Sequence, residues 1–262
     1  MEYLSHFTKD CFKYFSSSKL ANKNVLIVGC GNGQDCADFI ECQVIHGLDI
    51  CENIGHSFSH PKVSYYRESA ESMLRPSDFY DLVFSVATLE HIHNLEAVFS
   101  EILRVTKPGG LIYCASAPLW NSYQGHHLNY YGLFSEFPWI HLRLSQSEML
   151  QYIREYKQVS DLQSWIDLLE QENLLSAPLK INDLNSYAEN VANFVFSDYF
   201  NRQPASQYLK TAEVLDVSYR LRNDLWQDGE TLLTPDILRE LTEKGFSQDE
   251  LLAVSHTYVA IK

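Results

Sequence analysis

Apolar residues along this chain follow two alternating rhythms. Stretches of strand length rich in apolar residues occupy 25–28, 43–50, 63–66, 81–88 and 111–115, the first of them unbroken. Around them, apolar residues recur three and four positions apart. Tyr3, Leu4, Phe7, Cys11, Phe12 and Phe15 make one such stripe, and residues 95–105 make another that stops at Lys107-Pro108-Gly109-Gly110. Strands that are apolar throughout are buried on both faces, so the pattern predicts an α/β fold with a doubly wound, mostly parallel sheet. A proline-started helix is predicted over 235–244, and 251–254 with 256–261 read as a closing hairpin. The core is thus expected from 21–115 and 232–262, preceded by a leading helix within 1–20. Residues 116–231 form an insertion with helical periodicity over 147–156, 162–175 and 184–200, predicted to be a mainly helical cap that carries specificity. Its aromatics Trp165, Tyr187, Phe194, Phe196, Tyr199 and Phe200 are expected to be its own small core.

The first strand run breaks into Gly29-Cys30-Gly31-Asn32-Gly33 and continues into a helix-like stretch over 34–40. Glycine suits a sharp strand-to-helix turn where a ligand approaches the backbone, and the helix is expected to offer unpaired N–H groups to an anion. A dinucleotide fingerprint would need glycine where Gln34 stands, and a P-loop would need lysine and a hydroxyl residue where Gln34-Asp35 follow. The second strand run ends in Asp49, twenty residues after Gly29, the distance at which a βαβ unit brings a carboxylate to a ribose. The bland alternative is a solvated aspartate at a strand end.

Composition narrows the partners. A net charge of -14 and no Lys/Arg-rich run argue against nucleic acid and anionic membrane surfaces as substrates. Six cysteines without CxxC spacing in a chain of this length are expected to be reduced, mostly buried thiols. No apolar run reaches membrane-spanning length, and the start lacks the basic-then-apolar layout of a signal, so a cytoplasmic location is expected.

The stretch over 25–33 resembles the first motif of class I S-adenosylmethionine (SAM)-dependent methyltransferases. Two further stretches carry the resemblance. One is Asp81-Leu82-Val83-Phe84-Ser85-Val86-Ala87-Thr88-Leu89-Glu90-His91-Ile92, whose Leu-Glu-His is typical of members acting on small molecules, as in the methyltransferase domain 11 type. The other is Arg104-Val105-Thr106-Lys107-Pro108-Gly109-Gly110-Leu111-Ile112. The resemblance implies SAM as cofactor, a seven-stranded Rossmann-like sheet with a reversed last strand, and a leading helix that covers the cofactor, with Tyr3 and Phe7 as minor candidates. It further implies Gly29, Cys30, Gly31 and Asn32 at the methionine end, Asp49 and Ile50 at the ribose, and Val86, Ala87 and Thr88 along the methyl-transfer path. The adenine falls to Ser69, Ala70 and Glu71. The family usually has Asp-Ala where this chain has Ser69-Ala70, which leaves Ser69 or Glu68 as the acceptor of the adenine amino group.

The loop after the fifth strand crowds Trp120, Tyr123, His126, His127, Tyr130 and Tyr131 together, with His141 following, where a methyl acceptor would sit. His126 and His127 are the candidate catalytic residues: a neutral imidazole can take a proton from a hydroxyl, with purely structural hydrogen bonding as the alternative. Adjacent histidines without HxxxH spacing point away from a metal. His91 reads as orienting the helix that follows it, with a catalytic role as the alternative. The sequence reading is therefore methyl transfer from SAM to a small polar molecule, an oxygen of a sugar or natural product, by a monomer or homodimer. Two rivals stand beside it: a SAM-binding protein that does not methylate, and a nucleotide-dependent oxidoreductase, disfavoured by Gln34.

Overall fold

The computed structural model of the chain describes residues 5–15, 17–129, 132–172 and 174–262. Tyr3, Tyr130 and Tyr131 lie outside them. Seven strands form one sheet: β1 (Asn24–Val28), β2 (Val44–Asp49), β3 (Val63–Arg67), β4 (Tyr80–Val86), β5 (Thr106–Ser116), β6 (Tyr219–Gln227) and β7 (Ala253–Ile261), in the order β3-β2-β1-β4-β5-β7-β6. β1 to β5 run parallel and β7 pairs antiparallel to β5, with Ser116 opposite His256. The doubly wound sheet with a reversed last strand is thus present. Its order reverses between β1 and β4, where Val28 lies beside Ser85, so the carboxyl ends of these two strands flank the crevice in which such sheets bind ligands.

Local sequence explains most elements. Val25, Leu26, Ile27 and Val28 are fully buried in the middle of the sheet. Helix α3 (Leu95–Val105) starts at Asn94, whose side chain accepts the Ala97 N–H, and buries Leu95, Val98, Phe99, Ile102 and Val105. Two elements depart from the sequence reading. Helix α2 (Gln34–Ala37) is a single turn, not a helix through residue 40. The predicted closing hairpin is instead α10 (Gln248–Leu252) followed by one unbroken strand, because the Ser247 hydroxyl accepts the Glu250 N–H and starts a helix under the apolar run. The outer neighbour of β7 is then β6, from the stretch read as cap.

The chain divides into two compact units, residues 1–117 with 206–226 and 255–262, and residues 118–205 with 227–254. The first holds the sheet, with α1 (His6–Cys11), α2, α3 and α8 (Ala205–Glu213); Cys11 and Phe15 pack with Phe39, Phe84 and Tyr113. Residues 206–226 group with the sheet because β6 completes it and Tyr208 packs its ring on His256 at 5.7 Å. The second holds α4 (Ile140–Arg143), α5 (Gln146–Tyr156), α6 (Val159–Gln171), α7 (Leu184–Val195), α9 (Pro235–Glu243) and α10. α9 belongs here and not to the core of the sequence reading, since Leu241 is buried with Trp139 and Leu251. Trp165, Tyr187, Phe194 and Phe200 are core residues of this unit, as expected of them, whereas Tyr199 is 39% exposed.

One buried amide ties the segment before α7 to that helix. Asn190 Oδ1 accepts the Ser176 N–H at 2.9 Å and the Ala177 N–H at 3.2 Å, while Nδ2 donates to the Ser186 carbonyl at 2.9 Å. Asn190→Ala should leave these groups unpaired and cost about 2–3 kcal/mol, measured as a lowered urea midpoint with the spectrum of the folded protein unchanged.

Candidate active site

At the end of β1 the backbone turns left-handed at Gly29, Gly31 and Gly33, with φ of 74°, 47° and 93°. The three serve different ends. A Cβ on Gly29 would lie 2.0 Å from Thr88 Oγ1, and one on Gly33 would meet the Tyr65 hydroxyl at 2.3 Å, so both are required by packing. A Cβ on Gly31 would have nothing within 4 Å. Gly31 is therefore the glycine that presents open backbone to a ligand.

Asp49 closes this turn from the neighbouring strand. Its Oδ2 accepts the Gly31 N–H at 2.8 Å and its Oδ1 accepts the Cys51 N–H at 2.9 Å. Each oxygen keeps a second lone pair, which is what a pair of ribose hydroxyls needs. Beside it Ile50 is 70% exposed, an apolar surface standing in solvent next to the acid. The segment after the acid is bound back onto the turn, with the Gly55 N–H donating to the Gly31 carbonyl and the Ser57 N–H to that of Asn32. The Cys30 thiol faces the sheet, 2.7 Å from where a Gly47 Cβ would be, so this residue offers the site only its backbone.

The expected anion site at the helix start is not built. Helix α2 is one turn, and the Gln34 N–H donates to Asn32 Oδ1 at 3.1 Å. What the Asn32 side chain can give a ligand is its Nδ2 donors.

After β3, Glu68 is committed: its carboxylate takes Arg75 at 2.7 Å and the Leu74 N–H at 2.9 Å. The Glu71 carboxylate accepts the Asn94 N–H. Ser69 Oγ accepts the Glu71 N–H at 3.2 Å and keeps its own proton to donate, and Ala70 is buried next to it. The Glu68 N–H donates to the Asp49 carbonyl, so this segment starts at the acid. At the end of β4, Ser85 is spent on the Val28 carbonyl, while exposed Ala87 holds a φ of 49° with its N–H on Ala115. A left-handed alanine is strained backbone, of the sort that concentrates at functional turns. Thr88 Oγ1 donates to the Val86 carbonyl at 2.9 Å.

One residue escaped the sequence reading although its motif was seen. Glu90 of Leu89-Glu90-His91 is buried, with Oε1 accepting the Ala117 N–H at 3.2 Å and Oε2 carrying no hydrogen bond. Burial drives its carboxyl up to about 8, against three backbone hydrogen bonds that act the other way. Its signal in the sequence was an acid inside an apolar stretch.

The three histidines of the second unit are told apart by their backbone partners. The Leu128 N–H donates to His126 Nδ1 at 3.1 Å, which puts the His126 proton on Nε2. His127 is the opposite: Nδ1 donates to the Gly125 carbonyl at 2.9 Å and the lone pair is on Nε2. His141 Nε2 donates to the Trp120 carbonyl at 2.6 Å. His126 and His141 are buried and His127 is half-buried. Burial pushes His126 well below the usual range and His141 to about 4.

The sheet order, the glycine turn and the acid at the end of β2 together define a Rossmann-like nucleoside-binding fold of the class I methyltransferase type. Over 93% of this chain, the structure superposes on 92% of an S-adenosylmethionine dependent methyltransferase from Mesorhizobium loti with a TM-score of 0.52 and 12% identity, a likeness of fold. Residues 26–114 match the methyltransferase domain family, and this stretch is a class I SAM-dependent methyltransferase domain. Among proteins similar to it, a ubiquinone biosynthesis O-methyltransferase of Rhizobium rhizogenes is 29% identical over 109 residues, which cover 38% of this chain and 44% of that protein. A sterol 24-C-methyltransferase of Gibberella zeae is 32% identical over 97 residues, 33% of this chain and 26% of that one. The chain thus spans less than half the length of these relatives. One is named for an oxygen and the other for a carbon. SAM is the cofactor of this domain, and the open Gly31 backbone with the spare lone pairs of Asp49 fits it.

Titration follows from the buried groups. Glu90 has a folded value of about 8 against 4.5 for the ordinary group, so the stability it contributes is present below 4.5 and is lost as pH rises to 8. His141 and His256, both about 4 against 6.5, act in the other direction: stability is intact above 6.5 and falls as pH drops to 4. Glu90→Gln should therefore melt higher than the unmutated protein at pH 8 and lose that advantage at pH 5, in thermal unfolding followed across the range.

Proposed function

We propose that the protein transfers the methyl group of SAM to an oxygen of a small hydroxyl-bearing molecule. The observation that carries this is the Asp49 carboxylate held by the Gly31 and Cys51 N–H groups, against a glycine turn with open backbone at Gly31. When bound, SAM supplies a methyl group already activated by the positive sulfur. The chain's own residues then have to bind, align and exclude water.

In this reading Asp49 accepts the two ribose hydroxyls on its remaining lone pairs. Ile50 lays its exposed side chain against the adenine, and the Ser69 hydroxyl with the Ala70 backbone meets the ring edge, since Glu68 is occupied by Arg75. Gly29, Gly31 and Asn32 take the methionine end, and Val86, Ala87 and Thr88 border the transfer path. His126 and His127 are the candidate bases; His127 carries its proton on Nδ1, donated to the Gly125 carbonyl, whereas fully buried His126 carries its proton on Nε2. An oxygen acceptor would pass its proton to such an imidazole, and SAM, when bound, would supply the methyl group.

Asp49→Ala should weaken binding of SAM and of its demethylated product by roughly ten- to a hundred-fold, about 1.5–3 kcal/mol, by calorimetry. The same change strips two backbone N–H groups of their acceptor, so the variant's melting temperature is measured alongside; unchanged affinity in a folded variant removes the ribose assignment. His127→Gln should bind both cofactor forms normally and lower turnover about a hundred-fold, with labelled SAM and small-molecule extracts analysed by mass spectrometry.

A further inference from the structure

Buried polar atoms in folded proteins are almost always paired, and an unpaired one costs free energy that some other purpose must justify. Two such atoms belong to neighbouring rings in the second unit. His126 Nε2 and His141 Nδ1 are both buried without a hydrogen-bond partner, on rings 5.2 Å apart and inclined at 67°. They differ in kind. Because His126 Nδ1 accepts the Leu128 N–H, its Nε2 is a donor; because His141 Nε2 donates to the Trp120 carbonyl, its Nδ1 is an acceptor. Both rings stay neutral near pH 7, since burial holds them below the ordinary histidine range.

A donor and an acceptor left unpaired on neighbouring buried rings suit a group that is both at once. A hydroxyl is that group: its oxygen accepts from His126 and its proton goes to His141. A buried water makes about three hydrogen bonds, and this pair supplies two. A hydroxyl on carbon fills its third direction with the carbon itself. The neighbours of the two rings are aromatic: Phe134 stands edge-on to His126 at 5.7 Å and Trp120 edge-on to His141 at 4.6 Å. Aromatic neighbours beside a donor and an acceptor suit a flat ring bearing one hydroxyl.

We infer that His126 and His141 form a recognition site for a phenol-type hydroxyl on the methyl acceptor. This rests on the proposed methyltransferase reading for the word acceptor, but the site itself is a property of the second unit. The pair binds and orients; neither ring takes a proton, since His126 already carries one on the facing nitrogen and His141 resists protonation.

The test uses the whole protein labelled with 15N at histidine, with phenol as probe and its methyl ether, anisole, as the control of the same ring. Phenol should shift the His126 Nε2 and His141 Nδ1 resonances and raise the melting temperature, whereas anisole, which cannot donate, should bind at least tenfold more weakly. His141→Phe should abolish the preference for phenol over anisole, and His126→Phe should reduce it. The wild-type titration stands on its own where a variant fails to fold. Equal binding of the two probes, no imidazole shift with phenol, or shifts produced by glucose and not by phenol would each overturn the inference. Calorimetry with the demethylated cofactor is run in parallel: its failure counts against the methyltransferase reading and leaves the phenol result to judge this site.

Discussion

The carboxylate of Asp49 is the joint on which the sheet unit's crevice depends. Its two oxygens take the N–H groups of Gly31 and Cys51, one before it in the chain and one after, and the Glu68 N–H reaches its carbonyl. The ends of β1, β2 and β3 are thereby drawn to one point. Charge-assisted bonds to backbone N–H are stronger than neutral ones, and here one of them, with the Gly55 N–H on the Gly31 carbonyl, holds Gly31 in its left-handed conformation. A negative charge kept in place by backbone donors, with lone pairs to spare, can grip hydroxyls without further rearrangement.

Beneath this joint the packing is tight. The Tyr65 ring fills the space under the turn so closely that Gly33, Gly47 and Gly55 have no room for a Cβ, and its hydroxyl donates to the Phe58 carbonyl at 2.7 Å. Thr88 does the same from β4 against Gly29. The turn is thus rigid where side chains pack on it and open at Gly31, which separates the scaffold's requirement for glycine from the ligand's.

The second unit shows how far chemistry is set by backbone partners. Three histidines of one type take different tautomers because a N–H or a carbonyl chooses the nitrogen that carries the proton. His127, Phe134 and Trp139 all hold left-handed backbone within this stretch, a concentration of strain that only well-determined packing sustains.

What the chain's own order of residues determined is the scaffold: four aliphatic residues for β1, glycines two apart, an acid closing β2, an amphipathic α3, and a cysteine set that is free and mostly buried. These are local patterns, and hydrophobic burial and glycine's conformational range act locally. The tertiary structure alone decided that Glu68 is paired with Arg75, that burial raises the Glu90 carboxyl, and that β6 rather than a hairpin arm completes the sheet. It also set the tautomers of His126 and His127 and placed His141 beside His126. In each case the deciding partner is a backbone group, a side chain or a strand that folding brings near, and neither periodicity nor spacing carries a tautomer or a desolvation energy.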